Sequence, residues 1–213
     1  MRLLSRFSSR FSFARSAGVL ALYDMLKGID EGMAIGAVRL EEKRGGISSI
    51  RENAAGLKAA VLVLSDSVSA GKSKDRSGGI LAARLRELGF AGPLEKTLPD
   101  DRAQLEAELR RLADVERCDL IVTTGGTGAG PRDVTPEATL AVIEKRLDGV
   151  EEALRAYGRD RVPTAMLSRS VAGIRGSSVI VNLPGSPAAA ADGMHALFPG
   201  LLHLFRMMKG EGH

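Results

Sequence analysis

Asp133 closes the stretch TTGGTGAGPRD, residues 123–133, which carries glycines at 125, 126, 128 and 130. A glycine-rich turn leaves backbone amides free and lets a ligand come close. Placed between a strand and a helix amino end, those amides form a ready anion site. Thr123, Thr124 and Thr127 can add hydroxyl donors. A carboxylate beside bound phosphate is repulsive unless a cation lies between them, and Mg²⁺ is the hard, oxygen-seeking ion for that role. Asp100, which follows LP at the end of the preceding short strand, should open to the same edge. Two carboxylates and one glycine cradle are a reasonable site for nucleotidyl transfer. The plainer readings are a tight turn under a closely packed helix, and Asp100 as the cap of a helix starting at Asp101.

A second polar loop, SDSVSAGKSKDRSG (65–78), supplies Asp66, Asp75 and Ser77 as further candidates. Either Asp75 or Ser77 can cap the helix that follows. Lys72 and Lys74 make the loop basic. The glycine loop is not a Walker loop, because Pro131 and Arg132 stand where a Lys-Ser or Lys-Thr pair would be needed. It also lacks the long helix and the later acid of the dinucleotide fingerprint. Arg132 can meet a phosphate or be a surface charge.

The elements that must hold these residues read as a βαβ series. LKAAVLVLSD (57–66) and CDLIVTTGG (118–126) are near-continuous apolar runs, as in parallel strands covered on both faces. Helical periodicity marks GILAARLRELG, closed by Gly89, and RAQLEAELRRLADVER, with Leu105, Leu109 and Leu112 on one side. AGPLEKTLPDD gives a short strand between them. Thr135 is expected as the cap of a helix TPEATLAVIEKRL, with Pro136 at its first position. GVEEALRAYGR is another helix, and VPTAMLSRSVAGIRG holds a short helix or turn. SSVIVNL is a strand, and AAAADGMHALFPGLLHLFRMM closes the chain with one or two helices. This order predicts right-handed crossovers and a mostly parallel sheet with helices on both faces.

Hydrophobic residues at 44% and charged residues at 26% give a globular balance. Tryptophan is absent, so the core must be built from Leu, Val, Ile and Ala. No apolar run is long enough to span a bilayer. The formal charge of +4 is matched by four arginines in the acid-free first twenty residues, so basicity is no argument for nucleic acid. That tail, residues 1–16, reads as a disordered start, the edge of a truncated domain or an organelle signal. The lone Cys118 excludes an internal disulfide, and no histidine stands near it for thiol catalysis. A reducing, cytoplasmic compartment is expected. The three histidines form no metal-ligand cluster in the sequence. Residues 17–33 have apolar positions 19, 22, 26 and 29 on one helical face, which Gly32 can end, and a short strand alternation follows at Ile35, Val38 and Leu40.

Five segments carry a resemblance: LSDSVSAGKSKDRSG, LPDD, TTGGTGAGPRDVTPEAT, VPTAMLSRSVAGIRG and VNLPGSP occur in this order. The stretch 57–208 resembles the molybdopterin-binding domain of the molybdenum cofactor biosynthesis family. The spelling is most similar to the molybdopterin adenylyltransferase branch, while the related biosynthesis protein B usually differs in its last loop. The resemblance implies a three-layer α/β/α sandwich that forms a homotrimer or higher assembly. It implies adenylyl transfer from ATP to molybdopterin with Mg²⁺. It implies Asp100 and Asp133 as catalytic and metal-holding residues. Ligand-binding residues by the same resemblance are Thr124, Gly125, Gly126, Thr127, Gly128, Asp66, Asp75, Ser77, Ser168, Arg169, Asn182, Pro184, Gly185 and Ser186, with Pro187 in the last loop. A passive pterin-binding or scaffold role, or docking to a molybdate-inserting partner, is the competing expectation on the same fold.

Residues 17–50 resemble part of a second family, the carboxyl-terminal part of cyclic pyranopterin monophosphate synthase. Asp24, Lys27 and Lys43 fall on charged site positions. The family continues Gly-Gly-Lys-Ser-Gly where this chain has Gly45, Gly46, Ile47, Ser48 and Ser49. One lysine is lost and the larger part of that domain has no counterpart, so a fusion remnant or a fragment is expected, without synthase activity of its own.

Overall fold

The computed structural model describes residue 21 and residues 23–30 and 53–210. Contacts divide the chain into two units, Met1–Arg44 and Gly45–His213. In the first unit, residues 21 and 23–26 are helical and 27–29 form a turn around Gly28, earlier than the stop expected at Gly32. The exposed Lys27 and Asp24 pair at 2.6 Å. The expected strand at 35–40 and Lys43 lie outside the described residues, as does the tail.

The second unit is built on a six-stranded sheet in the order β2-β1-β3-β6-β5-β4. Its strands are β1 (Lys58–Leu64), β2 (Ala91–Leu98), β3 (Leu120–Thr124), β4 (Lys145–Arg146), β5 (Ala172–Arg175) and β6 (Ser178–Leu183). β2, β1, β3 and β6 run parallel. β5 is antiparallel to β6, and β4 is antiparallel to β5. The helices are α1 (Asp66–Ser69), α2 (Ser77–Glu87), α3 (Arg102–Arg110), α4 (Thr135–Leu140), α5 (Asp148–Arg159), α6 (Pro187–Leu197) and α7 (Gly200–Met208). A 3₁₀ turn covers Pro163–Leu167.

Strand alternation sends side chains to two separate cores. Val61, Val63, Val122 and Val181 pack with Leu81 and Leu85 of α2, Met194 of α6 and Phe205 of α7. Ala60, Leu62, Ile121 and Ile180 pack on the other face with Leu105 and Leu109 of α3 and Ala138 of α4. Each fully buried leucine is worth roughly 1.5–3 kcal/mol of transfer free energy. The three-layer α/β/α architecture is therefore dictated by runs that are apolar on both faces. α3 does not continue as one regular helix to residue 116. It passes into a π-helical turn, Arg111–Val115, where the Glu116 amide reaches back to the Arg111 carbonyl at 3.0 Å. That extra residue keeps Leu112 and Ala113 in the core.

Register places the site. Val63 pairs with Thr124, and Thr124 with Leu183. The carboxyl ends of β1, β3 and β6 thus stop at one level, and their following loops open together.

Candidate active site at the carboxyl ends of the strands

A cleft of about 370 Å³ lies at this edge, lined by residues that include Ser65, Lys74, Asp75, Arg76, Ser77, Thr124, Gly125, Gly126 and Gly185. Its floor is the glycine loop. Gly125 and Gly126 have φ of +103° and +62°, a region that side chains with a Cβ avoid. The sequence chooses glycine there for a second reason, crowding. A Cβ on Gly126 would stand 2.5 Å from Thr135 Oγ1, and one on Gly185 would stand 3.1 Å from the Gly125 Cα. The Gly125 amide donates to the Leu183 carbonyl at 3.1 Å, and Thr124 Oγ1 donates to the Pro184 carbonyl at 2.8 Å. The last loop and the glycine loop are thereby tied together.

α4 begins one residue earlier than expected, with Val134 and not Thr135 as its N-cap. Thr135 is already helical and fully buried. Its hydroxyl donates to the Gly125 carbonyl at 2.9 Å and its amide to the Gly126 carbonyl at 3.1 Å. It fastens the glycine loop instead of capping the helix.

Two acids stand against this loop. Asp100 Oδ1 lies 3.5 Å from where a Cβ on Gly126 would be, and Asp133 Oδ2 lies 2.8 Å from the corresponding point on Gly128. Asp100 is not a helix cap. Asp101 takes that role, accepting from the Gln104 amide at 2.8 Å. Asp100 instead exchanges hydrogen bonds with Asp66: the Asp66 amide donates to Asp100 Oδ2 at 3.2 Å, and the Asp100 amide to Asp66 Oδ1 at 3.1 Å. Arg132 forms an ion pair with Asp66 Oδ2. Burial raises the Asp100 carboxyl above its ordinary value; the charges of Asp66 and Asp133 push the same way, against the Asp66 amide and Arg132. Asp133 Oδ2 also accepts the Gly130 amide at 2.8 Å, which shapes the loop.

Other candidates fall into distinct places. Asp75 stands just before Arg76, the N-cap of α2, and accepts the Gly78 amide at 3.0 Å and the Ser77 hydroxyl at 3.3 Å. Ser186 caps α6, accepting the Ala189 amide at 3.2 Å. Ser168 Oγ bonds Ser170 Oγ at 2.8 Å. Asn182, expected as a ligand contact, is fully buried beneath the loop. Its Nδ2 donates to Thr123 Oγ1 at 2.9 Å and to Thr139 Oγ1 at 2.8 Å, and its Oδ1 accepts the Val171 amide at 3.2 Å. With every polar atom used inside the core it is part of the scaffold, and that expectation is corrected. Arg169 also turns inward. Its Nε donates to the Gly128 carbonyl and its Nη2 to the Asp133 carbonyl, both at 2.7 Å. Its Nη1 meets Glu137 Oε1.

The sequence reading missed Glu137, Thr135 and Ser65 as parts of this edge. Ser65 lines the cleft and caps α1, accepting the Val68 amide at 3.3 Å. A capping serine directly after a strand was the available signal. Among the described residues no group of three or more His, Cys, Asp or Glu side chains is arranged to hold a metal ion. No helix among them is long and apolar enough to cross a membrane. Cys118 is free and buried, and burial raises its thiol pKa, which suits core packing and not catalysis.

The fold places this protein in a class of α/β proteins whose parallel strands end in a glycine loop, an arrangement able to hold an anion. Residues 60–203 match the family described as "Probable molybdopterin binding domain", and the chain belongs to that family. It is 42% identical over 200 residues to a molybdenum cofactor biosynthesis bifunctional protein of Chlorobaculum tepidum, covering 94% of this chain and 63% of that relative. The chain thus spans less than two thirds of that relative's length, and the similarity continues beyond the 57–208 domain into the N-terminal segment. It is 42% identical over 154 residues to a molybdopterin adenylyltransferase of Helicobacter pylori, covering 71% and 87% of the two chains. Among solved structures it resembles the molybdopterin biosynthesis enzyme MoaB of Thermus thermophilus, with 37% identity, a TM-score of 0.68 and coverage of 72% and 97%.

Proposed function

We propose that the 57–208 domain transfers AMP from ATP to molybdopterin, giving adenylyl-molybdopterin and pyrophosphate. The observation that carries this reading is the convergence of Asp66, Asp100 and Asp133 on a glycine loop at the ends of parallel strands. A passive anion site gains nothing from carboxylates held against it. An oxygen of the molybdopterin phosphate attacks the α-phosphorus of ATP, the bond from that phosphorus to the bridging oxygen breaks, and pyrophosphate leaves with the electron pair. A phosphate monoester is already largely dianionic at neutral pH, so no strong general base is needed. The loop amides of 126–128 and the Thr127 hydroxyl orient phosphate oxygens. Lys74 and Arg76, which line the cleft, add positive charge.

Mg²⁺ belongs to this reading. The donor set fits it: hard carboxylate oxygens only, with the Asp100 carboxyl raised by burial and, secondarily, by the neighbouring charges of Asp66 and Asp133. Mg²⁺ is commonly held by one or two carboxylates with substrate phosphates completing its shell, so a cage of three acids is not required. Asp100 and Asp133 would hold it. When bound it supplies electrostatic stabilisation of the charge that builds on the departing phosphate oxygens. Gly185, Ser186 and Ser168 are assigned to the pterin side of the cleft. A homotrimer in the reducing cytoplasm completes the proposal, and a stable monomer at micromolar concentration in sedimentation would remove the assembly.

The test is single-turnover pyrophosphate release by the wild type and by Asp133→Asn, beside a molybdopterin titration. Asparagine keeps an oxygen for the Gly130 amide and removes the charge. Release should fall by roughly 10²–10³, as for loss of one strong transition-state contact, with molybdopterin affinity kept. Tight binding of both substrates with no release by the wild type would replace this reading with a passive pterin carrier.

A further inference from the structure

A loop with four glycines has high conformational freedom, yet the acid it carries must be placed to within a fraction of an ångström. Its ends are fastened at Gly125, Gly126 and Thr135. Its middle is gripped by one residue from a distant segment. The Arg169 amide donates to the Thr127 carbonyl at 2.9 Å, and the guanidinium donates to the Gly128 and Asp133 carbonyls at 2.7 Å each. Glu137, on the first turn of α4, faces the same guanidinium through Nη1 and, at 3.4 Å, Nη2. The Arg169 hydrogen bond holds the Glu137 carboxyl below its ordinary value.

We propose that Arg169 and Glu137 are positioning residues that set the Asp133 carboxylate, and that Arg169 does not contact the ligand. The guanidinium fork suits two carbonyls and a carboxylate at once, which a lysine cannot copy. Four of its five N–H groups are committed to the loop carbonyls and to Glu137. Glu137 fixes the plane of a side chain that is otherwise 38% exposed. The kinetic half of this inference rests on the adenylyl-transfer reading; the structural half does not.

The test uses the full chain with Arg169→Lys, Glu137→Gln, and Arg169→Lys combined with Asp133→Asn. Glu137→Gln leaves every backbone bond of Arg169 in place and guards against a variant that does not fold. Hydrogen exchange of amides 126–133 in the ligand-free chain should quicken by about tenfold or more in both single variants, the effect of losing one ionised hydrogen bond. The turnover number for AMP transfer should fall, by up to about 10²-fold for a misplaced group. KM for ATP and molybdopterin affinity should stay within about twofold, as expected for a group that acts only on the transition state. In the Asp133→Asn background the lysine substitution should cause no further loss. Unchanged loop exchange, weakened ATP or molybdopterin affinity, or full additivity with Asp133→Asn would each overturn the inference. If the wild type transfers no AMP, the functional reading falls, and loop exchange alone still decides whether the clamp exists.

Discussion

Gly126→Ala separates the two reasons for glycine in the loop. Its φ of +62° costs an alanine about 1–2 kcal/mol. The new methyl would also stand 2.5 Å from Thr135 Oγ1, where ordinary contact begins at 3.4 Å. Thr135 is β-branched and fully buried, so it cannot swing clear without giving up its bond to the Gly125 carbonyl. Losing that bond adds about 1 kcal/mol. The stability loss should total about 2–3 kcal/mol, read as a shift in urea midpoint at unchanged slope. The loop must otherwise move by about 1 Å, which for a positioned reacting group costs on the order of 10²-fold in rate. Gly176→Ala is the control. It has φ of +53° but open space around the added methyl, in the β5–β6 turn away from the cleft. It should lose about 1–2 kcal/mol and keep its pyrophosphate release. Wild-type turnover by Gly126→Ala, or an equal rate loss in Gly176→Ala, would refute crowding at Thr135 as the constraint.

Asn182→Ala should destabilise by about 2–4 kcal/mol in urea unfolding, since it strands the Val171 amide and two threonine hydroxyls; folded protein should bind molybdopterin as the wild type does. Glu151 is 1% exposed and bonded to Arg146 at 2.8 Å and to the Ala172 amide at 3.1 Å. Glu151→Gln should cost about 2 kcal/mol at pH 7, below the ~3–5 of a fully buried pair because Arg146 is half-exposed and rehydrates. Burial alone would raise the Glu151 carboxyl, but Arg146 and the Ala172 amide outweigh it and hold it below the ordinary 4.5. A depressed carboxyl stabilises above its unfolded value and loses that contribution as pH falls through the folded one. The gap between wild type and Glu151→Gln should therefore close as pH falls below about 4.5, followed by melts across pH 3–7.

The parallel half of the sheet was legible because β1 and β3 are apolar on both faces, a pattern few other structures tolerate. β5 was not. It has four residues, one of them Gly173, and turns at Gly176 straight into β6, so it reads as part of the loop before a longer strand. β4 is two residues long and has no sequence signal at all. The placement of Asp100 and Asp133 against the glycine loop was legible because both follow closely on strand ends or glycines in the sequence. Asn182 and Arg169 were harder to read. Polar residues in a loop motif look alike whether they face the ligand or hold the loop from behind, and only the burial of Asn182 and the carbonyl partners of Arg169 distinguish the two.

The order of strands in space has a consequence for synthesis. β3 sits between β1 and β6, and the Gly125 amide is satisfied by the Leu183 carbonyl at the end of β6. A nascent chain released from the ribosome as far as Asp133 already carries both acids and the whole glycine loop, yet the Gly125 amide still lacks its carbonyl partner. The cleft closes only after β6 and the turn through Gly185 emerge, some sixty residues behind the loop they support. Premature termination anywhere in that interval leaves a product with the complete set of acids and glycines and no site.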